Sequence, residues 1–470
     1  MRRIFSLMFF ILMLLTSAAS AETEVNKPFE TTKEVYLPPM DDVPPITTQA
    51  PSAENADDSN SNQNSDTEQE PQPPQPNKPS IPDYPIPTDS NSNQKPDTEQ
   101  EPQPPQPNKP SIPDYSIPDL PTEPSKPPVT DQPPTQPLEE GEGLEFRMVH
   151  RDGIMAFAVI ADHEKYLLKP VLARDKIPGR ATVKQMSNEY NAIAAINASY
   201  FGLSGELYGN TKIDGIMAGT TYYTRATLGI NADKSTIWGR TDYKGKLTMG
   251  GATLDINGID CERGADTVVI YNLHQGTRTG TNDFGVEFIV QNDIVTDIFR
   301  NKGNNEIPVT GYVISAHGKA AEILKNTQIG EKVIFEQSIV DVDGVANFDQ
   351  AIQIVGAGPI LVKNGAVYVT VDEEKFPSDI RDGRAPRSAV GVTKYGDYIL
   401  AIVDGRQAHS KGCTLQEWAE ILLNDFDAVN AINLDGGGST ELVVKGDIVN
   451  SPSDGQERPV GNALIIIKNP

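Results

Sequence analysis

The chain has 470 residues and a formal net charge of −25, from 65 acidic and 40 basic side chains. Nucleic-acid backbones need clustered Lys and Arg, so this balance excludes nucleic acid as a partner. A substrate with one phosphate stays open, because a few local arginines can hold it.

The N-terminus carries Arg2 and Arg3, then the apolar run IFSLMFFILMLL, then Ala19-Ser20-Ala21. That order predicts a secretory signal peptide over residues 1–21. The run is shorter than the ~20 apolar residues that span a bilayer, so no stable membrane span is expected after cleavage. The expected location is secreted, cell-surface or periplasmic. Residues 22–141 read as a disordered Pro-rich linker. DSNSNQNSDTEQEPQPPQPNKPSIPDY starts at Asp58 and returns nearly unchanged at Asp89, a period of 31 residues. Each copy has too few apolar side chains to bury a core, and its prolines favour an extended spacer. Between Glu22 and Glu140 stand 23 acidic and 6 basic residues, so most of the negative charge belongs to this spacer.

Residues 142–470 read as the folded domain. Its first half is a series of short runs rich in Val, Ile and Tyr: IMAFAVIA, YLLKPVLA, ATLGIN, DTVVIYN, VEFIVQNDIV and GYVISAHG. Gly, Asn and Asp bound them, which predicts strands and turns. TVKQMSNEYNAIAA is the best early helical signal, and GKAAEILKN a short second one. Further on, YILAIVD (398–404) is apolar throughout, as a strand buried on both faces requires. Thr414 and Glu417 form a capping box ahead of a helix whose apolar face is Leu415, Trp418, Ala419, Leu422 and Phe426. AVNAINLD follows as a second buried strand. Strand, helix, strand predicts a crossover between parallel strands, so Asp404 and Asp435 end on one edge of a sheet, where open sheets bind ligands. The fold class expected is therefore α+β: a β-rich domain with a C-terminal β-α-β unit and few helices.

INLDGGGSTE then carries the chemistry. Asp435 ends a buried strand beside Gly436, Gly437 and Gly438, followed by Ser439 and Thr440. Three residues without side chains let backbone N–H groups approach an anion. The same residues also suit an Asx turn and a tight loop. Asp404, in VDGR, is the second carboxylate, or else an ion-pair partner of Arg406. Arg387 in PRSAVG and Arg458 in ERPVG offer planar forks to a phosphate. Each could equally form a structural salt bridge. Asn197 in INASYF suits a sugar, a water or buried backbone. His409 is a loop histidine, and Glu441 a carboxylate whose side strand alternation does not assign. DVDGVANFD (341–349) has a calcium-loop composition but lacks the glutamate at its twelfth position. No H-E-x-x-H, C-x-x-C or G-x-S-x-G occurs. Cys261 and Cys413 are the two cysteines.

The run from PRSAVGVTKYG through LDGGGST to ERPVGNALII resembles the core of the phosphodiester glycosidase family. AIAAINASYFG, GYVISAHGKAAEIL and IVGAGPILVKNG also resemble it, in the family's order, so the resemblance covers roughly residues 144–468. It implies an exported hydrolase that cleaves the anomeric C–O bond of a sugar-1-phosphodiester. N-acetylglucosamine is the implied sugar, and a phosphomonoester the second product. It implies Asp435 and Asp404 as catalytic carboxylates. Asn197, Arg387, Ser388, Arg406, Gly436, Gly437, Gly438, Ser439, Thr440, Arg458 and Asn462 would bind substrate. No cofactor is expected to be required, and a divalent cation stays open. The partner expected is a glycosyl-phosphodiester glycan or a wall polymer. Two other readings stand beside this one: a non-catalytic carbohydrate-binding module, and a phosphodiesterase that cuts the P–O bond.

Overall fold

The computed structural model describes residues 143–344 and 346–469; the signal peptide and the repeat-bearing linker lie outside the described residues. Among these are 24 strands, four α-helices and two single-turn 3-10 segments, so the β-rich α+β reading is correct. The apolar runs become strands at nearly the expected bounds. IMAFAVIA is the strand Ile154–Ala161, and VEFIVQNDIV folds into the hairpin Val286–Gln291 and Ile294–Arg300. Asn292 and Asp293 both take positive φ in that turn, as a right-twisted two-residue hairpin requires.

The early helical segment is shorter than the sequence suggests. A capping box at Thr182 and Gln185 starts the helix Val183–Glu189, but Ala194–Asn197 is a strand. Tertiary pairing overrides alanine's helical preference there: the strand lies between Leu442–Val444 and Asn462–Lys468 in a five-stranded sheet.

The site rests on a seven-stranded sheet. In spatial order its strands are Leu144–Arg151, Ile154–Ala161, Tyr398–Val403, Arg387–Thr393, Ala428–Asn433, Ile360–Lys363 and Ala366–Val367. Both faces of the central strands are covered. On one side Val390, Leu400 and Ile432 pack against Ile196, Leu442 and Leu464 of the five-stranded sheet. On the other, Ala401 and Ala431 meet Leu415, Trp418 and Leu422 from the helix Leu415–Asn424 and Phe426 just beyond its end. That double burial accounts for the continuous apolar runs. The helix has both capping-box bonds in place. Tyr398–Val403 and Ala428–Asn433 are parallel, as expected, but they are not neighbours. Arg387–Thr393 runs antiparallel between them and pairs with both. Asp404 and Asp435 therefore share a sheet edge about 10 Å apart, two strand spacings.

Candidate active site at the sheet edge

Asp435 leaves its strand half-buried. Its backbone N–H donates to Ala198 O (2.9 Å), and its carbonyl accepts from Asn197 Nδ2 (2.5 Å). Its carboxylate accepts the Gly436 N–H (2.9 Å) and the Ser439 hydroxyl. Burial nevertheless pushes this carboxyl up to about 6, against the opposing pull of those donors and the Arg458 charge.

The three glycines do a different job from the one expected. The N–H groups of Gly436, Gly437, Ser439 and Thr440 already donate within the protein, to Asp435 Oδ1, Pro386 O, Gly436 O and Gly437 O. Four amides of the loop are thus taken, and the expected anion nest is largely closed. Close packing against backbone requires glycine at 436, and a positive φ favours it at 437. A Cβ on Gly436 would sit 2.7 Å from Pro386 O, and one on Gly438 would overlap Asp454 and Arg458. Gly437 holds φ +62 and faces the Arg406 guanidinium.

The cations divide by burial. Arg387 is 3% exposed and donates to three backbone carbonyls, Gly383 O (2.7 Å), Ile380 O (3.0 Å) and Cys413 O (3.3 Å). Its fork ties the 380–383 turn to the segment before the helix and is not presented to a phosphate. Removing it strands three acceptors at ~1–3 kcal/mol each. Arg387→Met is expected to lower the unfolding free energy by about 3 kcal/mol in urea titration; an unchanged midpoint would mean that the guanidinium is solvated. Arg406, in contrast, is exposed, has φ +60, and makes no hydrogen bond or ion pair among the described residues. The alternative pairing of Asp404 with Arg406 therefore does not occur. Arg458 pairs with Asp454 (2.6 Å) and reaches Ser439 Oγ (3.5 Å).

Asp404 is 2% exposed and saturated by protein donors. It accepts from Asn450 Nδ2 (3.1 Å), from the Ser451 N–H (3.1 Å) and, on Oδ2, pairs with His409 Nε2 (3.0 Å). Burial raises its carboxyl above the usual range while these donors oppose the shift. The oxygens of a carboxylate so enclosed are taken by protein donors, one of them the partly exposed His409. Asn197, Ser388 and Asn462 are likewise buried and internally satisfied. Ser388 Oγ donates to Asn197 Oδ1 (2.7 Å), and Asn462 exchanges bonds with Ser199. All three side chains are thus held by protein partners. Thr440 Oγ1 is buried with no hydrogen-bond partner. Glu441 turns away from Asp435 and accepts the Lys184 N–H (3.1 Å); burial, then the neighbouring Glu457, push it up to about 8.

Two residues at the edge went unmarked in the sequence. Asp454 stands four positions before Arg458, a spacing that signals an ion pair. Tyr200, in NASYFG, donates to Gly358 O (3.0 Å) and lies close enough to Asp435 for that charge to raise its phenol further above the ordinary range, beyond the larger effect of burial. Potential metal ligands gather elsewhere: Asp162, His163 and Asp397 bring donor atoms within 4.8 Å at the opposite end of Tyr398–Val403. Cys261 and Cys413 are both free thiols.

The edge thus offers a half-buried carboxylate, an unpaired guanidinium, one paired with the partly exposed Asp454, and an imidazole bonded to Asp404. Residues 284–467 match the sequence profile described as "Phosphodiester glycosidase". N-acetylglucosamine-1-phosphodiester alpha-N-acetylglucosaminidase of Bos taurus is 30% identical over 148 residues, which are 28% of this chain and 27% of that protein. The Homo sapiens protein of the same name is 29% identical over the same shares of each chain. The chain thus spans about a quarter of the length of these curated relatives. Among solved structures, a hypothetical protein from Synechocystis aligns with a TM-score of 0.60 at 25% identity, covering 69% of this chain and 62% of its own. Residues 284–467, which hold the Asp404, Asp435 and Arg458 segments, thus match the phosphodiester glycosidase family over well under half of the chain.

Proposed function

We propose that the protein hydrolyses the anomeric C–O bond of a sugar-1-phosphodiester and releases free sugar, N-acetylglucosamine being the first candidate, with a phosphomonoester. One observation carries this reading: the unpartnered Arg406 guanidinium lies against Gly437, two residues beyond the half-buried Asp435, whose carboxylate also feels the Arg458 charge. A cation without a protein partner next to a carboxylate of raised pKa suits an anionic leaving group beside an electron-poor carbon. Arg406 and Arg458 hold the phosphate, the latter by exchanging Asp454 for the ligand. The anomeric C–O pair leaves with the phosphate oxygen. Water supplies the new hydroxyl: either Asp435 takes its proton in a direct displacement, or Asp435 first forms a covalent sugar ester, and water then displaces the carboxylate while His409 takes the proton. His409, fixed by Asp404, stands as the proton donor or acceptor on the phosphate flank.

Hydrolysis of a synthetic α-GlcNAc-1-phosphodiester in ¹⁸O-water tests the reading. Label in the sugar supports it. Label in the phosphate means P–O cleavage, and no product leaves the domain as a binding module. Arg406→Lys is expected to lower kcat/KM on the phosphodiester by roughly tenfold, because a point charge replaces a planar fork. Residual cleavage of an uncharged aryl glycoside of the same sugar is expected to stay level. Equal losses on both substrates would make Arg406 structural.

The setting we infer is outside the cytoplasm, from the signal-like residues 1–21. Among the described residues no helix is long and apolar enough to cross a membrane. A glycosyl-phosphodiester glycan or wall polymer is the substrate class that fits such a setting. Detection of a mature chain starting at residue 22 in the exported fraction checks the inference.

A further inference from the structure

An aromatic row begins at this edge and ends at the surface, and the reaction above does not use it. Tyr200 lies on the side of Asp435 away from Asp404: its hydroxyl bonds Gly358 O, just before the strand Ile360–Lys363 that flanks Ala428–Asn433. The Tyr200 ring meets Phe376 at 5.5 Å. The Arg225 guanidinium stacks 4.3 Å from Phe376 and 4.7 Å from Tyr223. Tyr223 meets Tyr208 edge-on at 6.3 Å. Phe376 and Arg225 are buried and Tyr200 is partly buried, but Tyr208, Tyr222 and Tyr223 are 42%, 68% and 47% exposed. A second tie links this patch to the site: Arg180 donates to Leu203 O (3.0 Å), in the loop before Tyr208, and to Pro459 O (3.1 Å), next to Arg458.

Single exposed aromatics need no explanation, but a cluster of three marks a contact surface. This cluster is also pre-set. Arg225 is anchored by Glu374 O (2.6 Å) and Thr224 O (3.2 Å) and occupies one face of Tyr223. Little ring entropy is left to lose on binding. The carboxylates of Glu206 and Glu262 sit close enough to raise the Tyr208 phenol, after burial. Aromatic faces accept the C–H side of a pyranose, and carboxylates accept its hydroxyls. The two negative charges disfavour a second phosphate or an acidic sugar at the same place.

We propose that Tyr208, Tyr222 and Tyr223 form a platform for neutral or amino sugars of a glycan chain extending from the scissile phosphodiester. The substrate is then larger than one sugar and one phosphate. The inference rests on the proposed glycosidase activity, and the test separates the two.

Three substrates are compared with the full-length protein: N-acetylglucosaminyl-1-phosphomethyl, its chitobiosyl analogue, and N-acetylglucosamine-1-phosphate esterified to O6 of a methyl hexoside. Wild type is expected to favour one of the extended substrates by about tenfold in kcat/KM, the scale of a well-made aromatic contact. The arm that gains shows whether the chain lies on the sugar or the phosphate side. Tyr208→Ala/Tyr223→Ala is expected to lose that preference through KM and to keep the methyl-diester rate. Tyr208→Phe/Tyr223→Phe, which keeps both rings, is expected to retain it. A wild type that cleaves the methyl diester without preferring either extended substrate overturns the platform alone. So does an alanine variant that keeps the preference. If no diester is cleaved, the activity falls, and titration with chitotetraose decides the platform. Weaker binding by fivefold or more in the alanine variant supports it; equal or absent binding in both proteins rejects it.

Discussion

Asp435→Asn is expected to cut kcat on the phosphodiester by about 10³-fold with little change in KM, the range in which a positioned carboxylate contributes to acid–base or covalent chemistry. The substitution keeps the shape of the side chain. The amide oxygen of Asn can still accept the Gly436 N–H, and the loop's other amides donate to Pro386 O, Gly436 O and Gly437 O, so the fold is expected to stand. The raised pKa adds a signature that a merely structural aspartate lacks. Acting as base or nucleophile, Asp435 must be ionised, so wild-type activity is expected to rise as pH increases through about 6. Stability runs the opposite way. The folded state holds this proton more tightly than the unfolded chain does. The group's contribution is thus fully present below the ordinary carboxyl pKa and is lost as pH rises through about 6. Asparagine removes that dependence, so the variant is expected to match wild type in Tm near pH 4 and exceed it near pH 8. A folded variant with wild-type turnover would sink the assignment.

Asp404→Asn and His409→Ala are each expected to lower kcat by about 10²-fold, and the double variant to be little worse than either single one. The prediction follows from enclosure: Asp404 is 2% exposed and its oxygens are taken by Asn450, Ser451 and His409, so it acts on the reaction through the imidazole. Residues that work as one unit lose their effect once, so their losses do not multiply. Asn at 404 also places an amide against the Ser451 N–H, and some stability loss is expected alongside. The readout that distinguishes positioning from scaffolding is therefore the cycle, with kcat and KM read separately for each variant. Multiplying losses would show two separate roles, and full activity of His409→Ala would leave Asp404 as a buried anchor for the 450–451 turn.

The chain by itself determined the local elements and their polarity. Thr414, Glu417 and a 3.6-residue apolar face are sufficient for the helix Leu415–Asn424, because capping and amphipathicity are properties of neighbouring residues. Two apolar runs separated by that helix are sufficient to put Asp404 and Asp435 on one edge, because a crossover helix returns the chain in the same direction. It was also enough to single out LDGGGST. Tertiary structure decided what each polar side chain does there. Arg387 and Arg406 look alike in sequence. Yet one enters a shell of carbonyls from residues 380, 383 and 413, and the other leaves a positive-φ turn with no partner. Asn197 finds its partners at residues 388, 435 and 441, separations that no local pattern carries. The glycines announced backbone freedom, which Gly437 uses in its positive φ, but the need for Gly436 comes from the nearness of Pro386 O. The strand between Asp404 and Asp435, and the tyrosines beyond them, belong to the same class of fact. Burial and hydrogen-bond satisfaction are set by segments far apart in the chain, and only the packed structure brings those segments together.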